Sequence, residues 1–174
     1  VQELSNKQVE LISCTVNNNY DRSLGKGYGE YLCLKEIFDK SKIVNNTNYF
    51  IAVTGRHSVK NFSSILSDIS SNNSDIYLNL KDNLKFADTN IYGGTKKFFT
   101  KYLIPETSKT NDAKSQFFEH CAANAALKAV SDGMSYSQIK VYADIEGFIG
   151  TNGKKIRTNI IKKIKLYFFG KLKK

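Results

Sequence analysis

Gln116-Phe-Phe-Glu-His-Cys-Ala-Ala-Asn-Ala-Ala-Leu-Lys-Ala-Val130 is the stretch whose reading decides the fold. Phe118, Ala122, Ala125, Ala126 and Ala129 recur at helical spacing and form one narrow stripe. Side chains this small let a helix lie close against a sheet. Gly133 follows as a stop, because glycine takes the left-handed angles that end a helix. A long helix with such a face needs a sheet to cover it.

The flanking sequence supplies candidate strands. Tyr49-Phe-Ile-Ala-Val53 reads as a buried strand. Ile76–Leu80 and Leu84–Ala87 read as short strands around Lys81-Asp82-Asn83. Gly93-Gly94 reads as a hairpin turn, followed by a strand over Phe98–Ile104 that Pro105 ends. Glu106–Lys114 reads as a polar loop. Beyond the helix, Ile139–Ile149 shows strand alternation, and Asn152-Gly153 signals a turn into a return arm that starts near Lys155. Upstream, Gly25-Lys-Gly-Tyr-Gly29 reads as a loop. Tyr31–Asp39 and Ser58–Ser70 carry helical spacing through Leu34, Ile37 and Phe38, and through Val59, Phe62, Leu66 and Ile69. The expected class is α+β: N-terminal helices packed with a mainly antiparallel sheet and one long helix in the C-terminal half. Residues 1–40 are expected as an N-terminal helical or delivery segment and 41–174 as the catalytic domain.

The chain has 174 residues, 41% hydrophobic and 24% charged, a composition that folds without disulfide or metal staples. No apolar run is long enough for a transmembrane segment. The start at Val1, without Met or signal peptide, suggests a piece of something longer.

Charge is the strongest signal. The net charge is +10, and it is not evenly spread. Residues 1–90 hold ten basic and ten acidic side chains, whereas residues 91–174 hold sixteen and six. From Lys154 to Lys174 there are nine basic residues and no acidic one. Such a field draws polyanions, so RNA is the first expected partner, with an anionic membrane surface or an acidic protein as alternatives. A stretch from Ile156 to Lys174 that also reads as amphipathic keeps the membrane reading open.

Three cysteines, Cys14, Cys33 and Cys121, are an odd number without a CxxC pair, and only His57 and His120 could join them. No four-ligand metal set follows from that, so neither metal nor cofactor is expected. His57, in Thr54-Gly-Arg-His-Ser58, is placed between a strand and a helix, where a proton-transferring imidazole is often displayed. Arg56 beside it is suited to a phosphate. Lys96 and Lys97 precede Phe98-Phe99. Thr158 lies among Lys154, Lys155 and Arg157, where a hydroxyl could meet a phosphate or a base edge. Cys33 opens a second class: a thiol early in a helix, ahead of a histidine, fits a Cys-His hydrolase or deamidase.

Two resemblances follow from these motifs. His120-Cys-Ala-Ala-Asn-Ala-Ala-Leu-Lys-Ala-Val-Ser-Asp-Gly133 resembles the helix of zinc-dependent cytidine deaminases, but Ala123 stands where that family has its catalytic Glu. No Cys follows Cys121 to complete the zinc site. Ile145-Glu-Gly-Phe-Ile-Gly-Thr-Asn-Gly-Lys-Lys-Ile-Arg-Thr158 resembles the closing hairpin of bacterial EndoU-type and RNase A-like toxin nucleases, the C-terminal modules of contact-dependent inhibition and other polymorphic toxin systems. That resemblance implies a metal-independent ribonuclease, secreted and acting in a target cell's cytoplasm, with an acidic immunity protein as partner. It implies His57 as the base, Lys96 or Lys97 as the charge stabiliser and Thr158 as the substrate-facing hydroxyl. Arg56, Lys154, Lys155 and Arg157 would bind the substrate. A non-enzymatic binding module is the remaining alternative.

Overall fold

A computed structural model describes residues 9–15, 20–54, 57–148 and 155–156. The architecture is α+β. In chain order it runs α1 (Lys26–Lys40), α2 (Lys42–Asn45), β1 (Tyr49–Val53), β2 (His57–Val59), α3 (Phe62–Asn72), β3 (Ile76–Lys81) and β4 (Phe86–Thr95). There follow α4 (Lys96–Phe98), a π-helical turn (Phe99–Leu103), α5 (Ile104–Thr107), α6 (Phe118–Ser131), β5 (Tyr136–Ser137), β6 (Ile145–Phe148) and β7 (Lys155–Ile156). A four-stranded sheet has the order β1-β4-β3-β5, antiparallel except where β5 joins β3 in parallel. A second, wholly antiparallel sheet has the order β2-β6-β7.

Period-two alternation gives the main sheet two apolar faces. Phe50, Ala52, Ile76, Leu78 and Tyr92 face α1, α6 and the helical segment 96–107. Tyr77 and Ile91 face Ile65 and Ile69 of α3, with Tyr49, Ile51, Val59, Ile139, Val141 and Ala143 around them. The small-residue stripe of α6 behaves as its spacing predicts. Ala122, Ala125, Ala126 and Ala129 are fully buried in the first core. Gly133 adopts φ +88°, and the N–H of Met134 reaches back to the Ala129 carbonyl at 3.0 Å. α1 joins that core through Leu34, with Tyr31 and Phe38 packed against it.

Four sequence expectations are corrected. Gly93-Gly94 makes no turn: both residues lie buried inside β4, where a Cβ on Gly93 would stand 2.8 Å from the Phe50 carbonyl oxygen. One on Gly94 would stand 2.7 Å from the Asp75 carbonyl oxygen. The requirement is closeness of neighbouring chain, not turning. Phe98–Ile104 is helical, not a strand, and Pro105 does not end it but lies in α5, directly after the π-helical turn. The loop assigned to Glu106–Lys114 contains the end of α5 and a 3-10 turn at Asp112–Lys114. The glycine-rich loop is the start of α1, with Gly25 at φ +86° as its N-cap.

Of the strand expected over Ile139–Ile149, Ile145–Phe148 is a strand, whereas residues 138–144 join no ladder and are held at several points by side chains. Asn79 Oδ1 accepts the Ile139 N–H at 2.9 Å, and Asp68 Oδ2 accepts the Lys140 N–H at 2.8 Å. Asn61 donates to the Tyr142 carbonyl at 2.7 Å and accepts the Asp144 N–H at 2.8 Å. These groups satisfy backbone polarity that a strand ladder would otherwise satisfy. They also deliver the chain into β6.

Candidate active site

His57 is not at a helix cap. It opens β2, and α3 begins only at Phe62. Residues 57–59 are drawn into a strand by β6: His57 pairs with Gly147, Ser58 with Glu146 and Val59 with Ile145. The Lys60 N–H donates to the Asp144 carbonyl at 2.9 Å, and Lys60 Nζ lies 2.7 Å from Glu146 Oε2. The Glu146 carboxylate holds the Lys60 ammonium above its ordinary range. On the other side of β6, Gly147 pairs with Ile156 and Phe148 with Lys155 of β7. His57, Gly147 and Ile156 therefore lie on one line across the small sheet. Two strand spacings, about 10 Å, separate the first backbone from the last. The residue opposite His57 is a glycine, so no side chain of β6 stands there.

This brings together sequence positions almost a hundred residues apart: the strand that opens with His57 and the strand that opens the lysine-rich terminus. Arg56, Lys154, Arg157 and Thr158, with the Asn152-Gly153 turn, lie outside the described residues. So does the terminal stretch after Ile156 that could act on a membrane. For Lys155 the strand position alone is described.

Lys96 and Lys97 are placed elsewhere. Thr95 pairs with Tyr49 and the Lys96 N–H donates to the Asn48 carbonyl at 2.7 Å, at the start of β1. His57 follows the other end of β1, beyond Val53 and Thr54. The length of that strand, about 14 Å, separates the two points of departure. Lys96 Nζ is engaged by the Val44 and Asn45 carbonyls, each at 3.3 Å, where a cation complements the end of α2. Lys97 is exposed; its charge assists the Ser135 hydroxyl and N–H in holding Asp75 below the ordinary carboxylate range.

Other candidates sit in packed surroundings. His120, in the first turn of α6, is half-buried, stacked on Phe117 at 5.4 Å and edge-on to Phe86 at 5.3 Å. Cys121 and Ala123 are buried, and burial pushes the Cys121 thiol up. Burial and the neighbouring Cys14 thiol push Cys33 up to about 12, the opposite of what a thiolate nucleophile needs. Among the described residues, no three His, Cys, Asp or Glu side chains are grouped as a metal site. No helix among them is long and apolar enough to cross a membrane.

The sequence did not single out Asn61, Asp68 and Asn79, the residues that position β6. Each is a short polar side chain near an element end, a common type with no spacing signature of its own. No family model, curated protein or solved structure matches the chain.

Proposed function

We propose that this chain is a metal-independent endoribonuclease, the effector module of a secreted bacterial toxin. The observation that supports it is the register of the small sheet, which sets the His57 position beside the hairpin that opens the basic terminus. Cutting RNA through its own 2′-hydroxyl asks little of a protein. A base takes the hydroxyl proton, the oxygen attacks the adjacent phosphorus, and the 5′-oxygen leaves with a proton, giving a 2′,3′-cyclic phosphate. In this reading His57 is the base. Lys154, Lys155 and Arg157 bind the phosphates and stabilise the charge of the pentavalent state, and Thr158 contacts the substrate. Arg56, next to His57, adds a phosphate contact. Lys96 and Lys97 are left out of this step, since they follow β4 beside the start of β1, whereas His57 follows its other end.

A producing cell would need an immunity protein, and its complement to a +10 surface is an acidic face. The test is digestion of purified tRNA and of total RNA in the presence of EDTA. Cleavage by the wild type and its loss in His57→Ala supports the reading. RNA that is bound but left intact points to a binding module. Activity lost only in Cys33→Ala points to thiol chemistry.

A further inference from the structure

The main sheet leaves one edge bare. β1 pairs with β4 on one side, and among the described residues no strand lies on its other side. The register fixes which groups look outward. The Thr54 N–H donates to the Asn90 carbonyl at 3.0 Å and the Lys96 N–H to the Asn48 carbonyl at 2.7 Å, so residues 48 and 54 hold hydrogen-bonded positions of the ladder. Antiparallel ladders alternate. Phe50 and Ala52 therefore bond β4 as well, and the N–H and C=O groups of Tyr49, Ile51 and Val53 point away from it. Nothing among the described residues bonds them. Elsewhere the fold shields such backbone: β5 has two residues, and Asn61, Asp68 and Asn79 bond the backbone of residues 138–144. β1 has no such guard. Its five residues, Tyr-Phe-Ile-Ala-Val, include no charge and no proline, the devices that keep edge strands from pairing. Tyr49 to Ala52 are half-buried, and Val53 is 37% exposed.

We propose that β1 is a self-association edge, on which a second copy of this chain lays its own β1 antiparallel about a two-fold axis through Ile51. In that register Ile51 meets the partner's Ile51 and Tyr49 meets the partner's Val53, so every outward N–H finds an outward C=O. The side chains brought opposite one another are apolar or aromatic, and no like charges face each other. An acidic partner would be drawn by the net charge of +10, but this strand offers it no cation. An uncharged, self-complementary edge fits a second copy. The contact is small: five residues a side cover less than the roughly 1,200–2,000 Å² that stable complexes bury, so the dimer is weak and exchanges with monomer. Two copies of a chain carrying +10 repel, so salt strengthens it. The inference does not depend on the ribonuclease reading.

Sedimentation equilibrium of the full chain, over a wide range of protein concentration at low and high salt, is expected to show a reversible monomer–dimer equilibrium that salt strengthens. Val53→Pro removes an outward N–H and leaves the ladder to β4 whole. It should raise the dimer dissociation constant about tenfold or more, since symmetry deletes the bond twice. Val53→Lys, which puts a charge on the same exposed position, should weaken the dimer likewise. Hydrogen exchange on the wild type needs no variant. The amides of Tyr49, Ile51 and Val53 should exchange fast in dilute protein and slow as concentration rises, while those of Phe50 and Ala52 are slow throughout. A monomer at every concentration and salt would overturn the proposal. So would a dimer that both variants leave intact, which places the contact elsewhere. Slow Tyr49, Ile51 and Val53 amides in the monomer would overturn it too, since a segment of the same chain would then cover the edge.

Discussion

Gly93 shows how much a single missing side chain decides. A methyl group there would press on the Phe50 carbonyl and on Ile51 in the middle of the main sheet. Backbone in a central strand cannot move aside. Gly93→Ala is expected to cost about 1–3 kcal/mol and to lower the thermal midpoint by roughly 3–9 °C. Calorimetry or urea unfolding checks it. Glu106 makes a different case. Burial pushes its carboxyl up, but hydrogen bonds and charge from Lys109 and Lys128 more than offset this and hold it below its ordinary value of 4.5. A lowered carboxyl stabilises the fold above the unfolded value, and that contribution is lost as pH falls through the folded value. Glu106→Gln should therefore cost about 1–2 kcal/mol at pH 7. The gap from wild type should close as pH drops below about 4.5. Unfolding curves of both proteins between pH 7 and pH 3 give the comparison.

At the scale of elements, the strap 138–144 is what carries the chain to β6. Asn61→Ala removes two hydrogen bonds to its backbone and should cost roughly 1–3 kcal/mol. Hydrogen exchange at the Asp144 amide should quicken about tenfold or more, since local opening becomes easier by that energy. Unchanged exchange would mean that Lys60 and the β2 pairing hold the strap without it. The same scale separates what the residues disclose from what they hide. The stripe of α6 is legible because a local period reports a local element. The segment 96–107 is not. Its buried residues, Phe98, Phe99, Tyr102, Leu103, Glu106 and Thr107, repeat at intervals of four. That interval drifts against a regular 3.6-residue turn, and the wider π turn at Phe99–Leu103 takes up the difference. An apolar run that ends at a proline imitates a strand. His57 is misread for another reason: its strand exists only because residues 145–147 pair with it. No local pattern reports a partner so far away along the chain. What was legible of the candidate site was the antiparallel pairing of β6 with the return arm near Lys155; the pairing of His57 with Gly147 was not.

For the whole molecule, the surplus of sixteen basic over six acidic residues after position 90 should appear as salt-sensitive binding. Each phosphate neutralised on single-stranded RNA contributes a slope of about −0.7 to the plot of log affinity against log salt. Replacing Lys154, Lys155 and Arg157 together by Gln should reduce that slope by about 2, whatever the RNA sequence. Fluorescence anisotropy on an RNA oligonucleotide across a salt series measures it. A slope that stays the same would place the phosphate contacts elsewhere on the surface.

The role given to His57 stands or falls with the substrate's own hydroxyl. The decisive comparison uses an RNA oligonucleotide that the protein cuts, and its twin with a single 2′-deoxy sugar at the cut, both in EDTA. Cleavage of the first to a 2′,3′-cyclic phosphate end, dependent on His57, with the second left whole, is the expected result. Equal cleavage of both, or cutting of the first by His57→Ala at the wild-type rate, would contradict it.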